Sequence, residues 1–129
     1  MSYAVRFVQS NRFQVKDRAA FESWLEETAE ESLKRFWNDD GVMLNMVDGD
    51  NHGLRFMTAE SEKYPYGEVE TNDFLGGLTQ HLVDGESAAI LVMGFDRDSS
   101  GIGDYITSGY ATRYEVTPEG FKEAGNLDV

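Results

Sequence analysis

Apolar and polar residues alternate in several short segments of the chain, and this alternation predicts β-strands. In the segment from residue 3 to residue 8, Tyr3, Val5 and Phe7 occupy one side and Arg6 the other. That period of two residues is typical of a half-buried strand. The chain is therefore expected to begin with a strand.

Two segments in the second half of the chain predict a long hairpin. Ser87 to Phe95 is almost continuously apolar and is bounded by turn residues, which is typical of a central strand covered on both faces. Asp104 to Val116 predicts its partner strand, and Asp96 to Gly103 is predicted to be the loop between them. Residues 118–129 carry no regular apolar pattern, so we expect a short turn and a frayed tail there.

A stripe of apolar and small residues at helical spacing predicts a helix after the first strand. Asp17 is a good N-cap, and Lys34 and Arg35 would place cations at the C-terminal end. The simplest prediction is one helix from Asp17 to Trp37. In the alternative, the helix ends near Thr28 and residues 33–37 form a strand that turns through residues 38–41 into the next strand. The stripe consists of Phe21, Trp24, Leu25, Thr28, Ala29, Leu33 and Phe36.

The middle of the chain predicts a hairpin and then a loop. Val42 to Val47 alternates, a polar run follows, and Leu54 to Met57 supplies the second strand. Glu60 to Glu70 is polar and contains the sequence Tyr-Pro-Tyr-Gly, which interrupts regular structure, so an exposed loop is expected.

A second, shorter helix is predicted after this loop. Thr71 or Asn72 can cap its start, and Gly85 falls where a glycine is expected after a helix end. Its apolar face would consist of Phe74, Leu75, Leu78 and Leu82.

The predicted order is strand, helix, two strands, helix and two strands. Because the last two pairs are hairpins and the helices are few, this order predicts an α+β fold. We expect one compact domain over residues 1–129, with a mostly antiparallel sheet of about five strands and both helices packed on one face.

The amino-acid composition limits the partners and the cell compartment that we expect for this protein. The 129 residues include 24 acidic and 11 basic side chains, giving a net charge of -13. Such a chain is a poor ligand for nucleic acid or an anionic membrane, which are bound through Lys and Arg, and its natural partner is a basic protein surface. The absence of cysteine fits a reducing compartment, and we expect a cytoplasmic protein. The longest apolar run, Ala88 to Met93, is too short to span a bilayer.

One segment matches the front half of a calcium loop. Asp96-Arg97-Asp98-Ser99-Ser100-Gly101 places oxygen ligands at the first, third and fifth positions and glycine at the sixth, and Asp104 would be ninth. The twelfth position is Thr107 where a glutamate is needed, and the same residues suit a plain hairpin loop. We expect no metal or cofactor, and keep a divalent-metal enzyme using Asp96, Asp98 and Asp104 as an alternative.

Other catalytic signatures are lacking. The two histidines, His52 and His81, have no companion nucleophile in a recognisable motif, so we expect the protein not to be an enzyme.

The acidic side chains are concentrated towards the C-terminal half. Residues 65 to 129 contain 12 acidic and three basic side chains, a net charge of -9. Spaced carboxylates with tyrosines between them suit a surface that enters a groove built for phosphates and bases. The predicted partner-binding residues are Glu68, Glu70, Asp96, Asp98 and Asp104 in place of phosphates, and Tyr64, Tyr66 and Trp37 as anchors.

In size, charge and lack of catalytic motifs, the chain resembles the class of small DNA mimics of mobile genetic elements, such as inhibitors of CRISPR effectors, restriction enzymes or repair glycosylases. The leading hypothesis is a non-enzymatic inhibitor whose acidic face occludes the nucleic-acid-binding surface of a partner. The alternative is an accessory or immunity-type protein that binds mainly through apolar contacts. Acidity that only keeps the protein soluble, or that suits a salt-rich cytoplasm, is also open.

Overall fold

The computed structural model describes residues 2–29, 33–48, 55–100 and 103–128. It confirms the α+β class: a sheet of six antiparallel strands carries two helices, and a separate pair of strands completes the fold. The elements are β1 (Ser2–Ser10), α1 (Arg18–Thr28), β2 (Lys34–Asn38), β3 (Gly41–Asp48), β4 (Arg55–Met57), β5 (Glu68–Glu70), α2 (Thr71–Thr79), β6 (Ala88–Ser100), β7 (Gly103–Thr117) and β8 (Gly120–Asp128).

The main sheet has the strand order β2-β3-β1-β6-β7-β8. Strand β1 lies in its interior, where Val8 is opposite Met46 of β3 and Val92 of β6. Strands β6 and β7 form the long hairpin that the apolar pattern predicts, with a shift in register between Asp96 and Arg97.

One face of the main sheet carries both helices, and we call it the covered face. Its residues alternate along the strands and are buried: Val8, Leu44, Ile90, Val92 and Val116. They form one core cluster with buried side chains of both helices. The intervening residues form the opposite, open face, which consists of Phe7, Gln9, Lys34, Phe36, Met43, Asn45, Ala89, Leu91, Met93, Phe95, Ala111, Arg113, Glu115, Lys122 and Leu127.

The two helices pack through aromatic rings. The indole of Trp24 stacks on Phe74 with ring centroids 5.0 Å apart, and Phe21 meets Trp24 at 5.7 Å. Gly77 makes this approach possible, because a Cβ atom there would lie 2.7 Å from the indole carbon Cζ2. Asp17 caps α1 as predicted, since its Oδ1 accepts hydrogen bonds from the backbone of Ala19 and Ala20.

The prediction of one helix from Asp17 to Trp37 is wrong, and the alternative is confirmed. Helix α1 ends at Thr28, and β2 pairs with β3 across the turn at Gly41. Gly41 has a φ of +125° and its missing Cβ would lie 2.1 Å from the Phe13 carbonyl oxygen, so only glycine fits. Pairing with β3 therefore decides the conformation of residues 34–38.

The predicted hairpin between the Val42 to Val47 and Leu54 to Met57 segments is also wrong. Strand β3 pairs with β1 and β2, whereas β4 pairs with β5, with Arg55 opposite Glu70. The polar run between β3 and β4 lies largely outside the described residues. The short strand β5 occupies the last three residues of the expected Glu60 to Glu70 loop.

The predicted frayed tail over residues 118–129 is wrong for its described part, because Gly120–Asp128 forms the edge strand β8. Phe121 lies opposite Val116, and backbone pairing with β7 holds the segment. Its side chains are mostly exposed, which explains why the sequence carries no apolar alternation there.

Three further details differ from the predictions. The N-cap of α2 is Glu70, without a side-chain hydrogen bond, and the helix ends at Thr79. Gly85, with a φ of +83°, therefore belongs to the turn before β6 and not to the helix end. The β6 segment was expected to be covered on both faces, but the described helices cover only one.

Candidate partner-binding surface

The connection between β4 and β5 folds into an ordered loop. The Thr58 N–H donates to the Gly67 carbonyl at 2.8 Å, and the N–H groups of Ser61 and Gly67 donate to the Tyr64 carbonyl at 3.1 and 3.0 Å. Gly67 has a φ of +67°, a conformation that favours glycine. The loop backbone is consequently ordered by its own hydrogen bonds.

Tyr64 anchors this loop in the core. Its side chain is buried, with 9% exposure, so its predicted role as a surface anchor is wrong. The Thr58 hydroxyl donates to the Glu27 carbonyl at 2.8 Å, which fixes the loop to the last turn of α1. Tyr64 therefore points inward, whereas Tyr66, two residues later, is 85% exposed.

The loop and the start of α2 are rich in carboxylates. Residues 58 to 73 contain five acidic side chains and one lysine, a net charge of -4. The Tyr66 ring is 85% exposed at the tip. We define the acidic loop surface as Glu60, Glu62, Tyr66, Glu68, Glu70 and Asp73.

Helix α1 extends this acidic region. Glu26 and Glu27 are exposed on its last turn, next to the point where Thr58 docks. Glu60 lies on the other side of that contact, close to Gly67. Lys63, the single cation in the loop, lies with its Nζ 5.4 Å from the centroid of the Tyr64 ring.

Strand β5 presents two of the predicted carboxylates in the same direction. Val69 is fully buried, whereas Glu68 is half-buried and Glu70 is exposed. Alternate residues of a strand point to one side and are roughly 7 Å apart. Glu68 and Glu70 therefore form a spaced pair beside Tyr66.

The other three predicted carboxylates lie on the far half of the β6–β7 hairpin. Asp96 accepts a hydrogen bond from the Ser108 hydroxyl at 2.9 Å and lines a shallow depression with Tyr110 and Asp128. In the backbone register, Asp98 is opposite Tyr105 and Asp104 is opposite Ser99. These acids thus occupy a second region, separate in the fold from β5.

The expected loop from Asp96 to Gly103 is mostly strand, because β6 continues to Ser100 and β7 begins at Gly103. A calcium loop must curl its oxygen ligands around one ion, which an extended ladder does not do. Among the described residues, no three acidic or histidine side chains are grouped as metal ligands.

Trp37 is held within the protein by α1. Its Nε1 donates to Glu22 Oε1 at 2.5 Å, and the Arg18 guanidinium carbon lies 4.4 Å from the ring centroid. Arg35 Nε also donates to Glu22, at 2.6 Å. Burial raises the pKa of Glu22, but the hydrogen bonds from Arg35 and Trp37 outweigh it, so the net pKa is below its ordinary value. Trp37 thus packs against α1 through Glu22, Arg18 and Phe21.

Sequence reasoning did not single out Glu22, Glu60 or Glu62. The signal that could have found the loop acids is their position beside the Tyr-Pro-Tyr-Gly sequence, where a turn exposes neighbouring side chains. Nothing in the sequence indicates that Glu22 bonds to two side chains of β2, because that contact depends on where β2 pairs.

The chain matches no protein-family model, no curated protein and no solved structure. Within the described part of the chain, neither helix is long and apolar enough to cross a membrane. The function must therefore be argued from the surfaces themselves.

Proposed function

We propose that this protein is a non-enzymatic binding or inhibitor protein that occupies a basic, nucleic-acid-binding surface of a partner protein in the cytoplasm. The observation that carries the proposal is the acidic loop surface, in which five carboxylates flank, along the chain, a tyrosine that is 85% exposed. The proposal includes no direct contact with nucleic acid.

Ordered carboxylates suit this role better than a mobile acidic tail would. Backbone hydrogen bonds and the buried Tyr64 order the loop backbone, so its carboxylates are carried on an ordered segment before binding. A pre-organised surface loses less conformational entropy on association. Spaced negative charge also steers a basic partner and raises the association rate.

Tyr66 supplies the apolar contact that carboxylates lack. Tyrosine is enriched at the energetic centres of protein interfaces because its ring buries a large area while its hydroxyl keeps a hydrogen bond. In this proposal the Tyr66 ring enters the partner's groove, and Glu60 and Glu70 contact cationic side chains around it.

The first test is competition by nucleic acid. Proteins retained by the immobilised chain from native lysate are identified, and the complex with a purified partner is then challenged with duplex DNA or RNA. We expect the nucleic acid to displace the protein. We also expect affinity to fall steeply as salt rises from about 50 to about 500 mM, because salt screens exposed charges.

A charge variant tests the location. Glu60→Gln combined with Glu62→Gln and Glu70→Gln should weaken partner binding at least tenfold, as expected for spaced pairs worth several tenths of a kcal/mol or more each. The matched control is Glu119→Gln with Glu123→Gln, two exposed acids near and on β8. Equal effects of both variants, or binding that is insensitive to salt, would overturn the proposal.

The exposure of Tyr66 favours one second candidate, an accessory or immunity-type protein held mainly by apolar contacts. Tyr66→Ala separates the two functions. A large loss from Tyr66→Ala, combined with little loss from the glutamine variant, would support the second candidate.

A further inference from the structure

The open face of the main sheet is apolar at its centre. Phe7, Leu91, Met93 and Phe95 are all half-buried there, and the rings of Phe7 and Phe95 stack with centroids 5.7 Å apart. Antiparallel sheets that expose one face to water normally carry polar residues on it. The centre of this face has the composition of an interior surface.

The described parts of the chain do not cover this face. Both helices pack on the covered face, where α2 approaches Phe121 and α1 approaches Trp37. Phe36 and Leu127, at opposite ends of the open face, are 49% and 65% exposed. The nearly continuous apolar sequence of β6 thus has one face buried and one face available.

The open face also differs from the rest of the molecule in charge. Its described charged residues are Lys34, Arg113 and the pair Lys122 and Glu115, whose Nζ and Oε2 atoms are 3.8 Å apart. The whole chain has a net charge of -13, yet the described side chains of this face include three basic residues and one acidic residue. It is where another highly acidic molecule meets the least repulsion.

We propose that the open face binds the open face of a second copy of this chain. Two sheets packed face to face are about 10 Å apart, which places the helices and the acidic loop surfaces on the outside of the pair. The acidic loop surfaces of the two copies are then separated by more than the Debye length, which is about 8 Å at physiological salt. The dimer therefore buries the apolar face without bringing its strongest charges together.

The open face offers only a small area for association with a second copy. Five strand spacings of about 4.8 Å and five or six residues of about 3.3 Å give roughly 450 Å² on each copy. The total, on the order of 900 Å² before allowing for the relief of the side chains, is below the standard size of stable interfaces and in the range of weak, transient ones. We accordingly expect a reversible dimer with a dissociation constant in the micromolar range.

Sedimentation equilibrium and light scattering on the purified full chain test this proposal. Between about 1 and about 200 µM, the average mass should rise from one 14.5 kDa chain towards two. Met93→Lys should remain monomeric over that range, since it places a charge at the centre of the face. Tyr66→Lys is the matched control, because it changes an exposed ring outside the open face and should dimerise like the wild type.

Salt gives an independent readout. Dimerisation through an apolar face between two acidic chains should strengthen as salt rises, because salt screens their repulsion, whereas partner binding through the acidic loop surface should weaken. Failure of one proposal is thus distinguishable from failure of the other.

Several results would contradict dimerisation through the open face. A wild type that stays monomeric at about 200 µM, or a Met93→Lys protein that dimerises normally, would overturn the proposal. Far-ultraviolet circular dichroism checks that the variant is folded, and Leu91→Lys replaces it if it is not. A photo-crosslinker at Met93 that labels a different protein or a lipid, and not a second chain, would also overturn it.

Discussion

The covered and open faces of the main sheet are built from neighbouring residues on the same strands, but they differ in exposure, packing and charge. On β6, Ile90 is fully buried beneath the helices, whereas the next residue, Leu91, remains half-buried on the open face. The covered face is sealed by tightly interlocked aromatic rings around Trp24. The open face has apolar side chains of similar size and no described element above them.

The two faces therefore contribute to different processes, the covered face to folding and the open face to association. Apolar residues on the covered face contribute to the stability of one chain, while those on the open face gain their burial only in a complex. The carboxylates follow the same division, because the acidic loop surface is attached to α1, on the helix side, and the open face has few acids. The helix side of the sheet thus offers charged contacts to a partner, and the open face offers apolar contacts.

Truncation of neighbouring residues should show the largest contrast. Ile90→Ala is expected to lower the free energy of unfolding by about 2–5 kcal/mol, because it leaves a cavity in the core. Leu91→Ala should cost roughly 1 kcal/mol or less in the monomer while weakening dimerisation. Urea unfolding at low protein concentration measures both. Equal losses would show that the open face is packed within one chain, contrary to the structure.

The two adjacent glycines of α2 test the fit of the helix layer. Gly77→Ala should destabilise the protein by about 1–3 kcal/mol, because its Cβ would lie within 3 Å of three indole atoms of Trp24. Gly76→Ala is the matched control: its Cβ would lie 3.7 Å from Phe121, an ordinary contact. This variant should be neutral or gain up to about 1 kcal/mol from helix propensity.

Thermal or urea unfolding of the two alanine variants decides this point. If Gly77→Ala is as stable as Gly76→Ala, the approach of α2 to Trp24 is looser than the geometry indicates. Neither substitution should alter dimerisation, because both glycines lie on the side of the sheet opposite to the open face.

The strands that the sequence predicts well are those with one buried face. In β1 and β7 the covered-face residues alternate with others, β6 is an almost continuous apolar run, and Asp17 marks the start of α1 by its own capping chemistry. These signals are local. They persist whatever the rest of the chain does, so they can be read without knowledge of the tertiary structure.

The errors arise where tertiary pairing decides. The Leu33 to Trp37 segment has apolar residues that fit a helical stripe or a strand, and only pairing with β3 selects the strand. Strand β8 lies at the sheet edge and exposes most of its side chains, so its sequence lacks alternation. The sequence of neither segment shows which strand it pairs with, so the sequence alone does not decide its structure.

The candidate site shows the same limit. Composition could indicate that acids and tyrosines are mixed in the loop, but not that Tyr64 points inward and Tyr66 outward. Glu68 and Glu70 lie beside Tyr66, whereas Asp96, Asp98 and Asp104 lie on the β6–β7 hairpin. Charge counting gives the sign of a surface, and the topology of the strands gives its location.

The smallest expected effect is a dependence of stability on pH that arises in the helix layer. The His81 ring lies 4.9 Å from Trp24 and 5.8 Å from Phe21 between centroids. Burial among these rings, and secondarily the charge of Lys16, lowers the pKa of His81 below 6.5. The unfolded chain therefore binds the proton more readily, so the stabilising contribution is full above pH 6.5 and is lost as pH falls towards the folded-state pKa.

Urea unfolding between pH 8 and pH 5 of the wild type and His81→Phe measures this contribution. The wild type should lose more stability than the variant as the solution is acidified below pH 6.5, and comparing the two proteins cancels other groups, including His52. Parallel pH profiles would show that His81 is not desolvated by the helix layer. Because the open face has no histidine among its described residues, dimerisation of His81→Phe should follow that of the wild type, confining this pH response to the covered face.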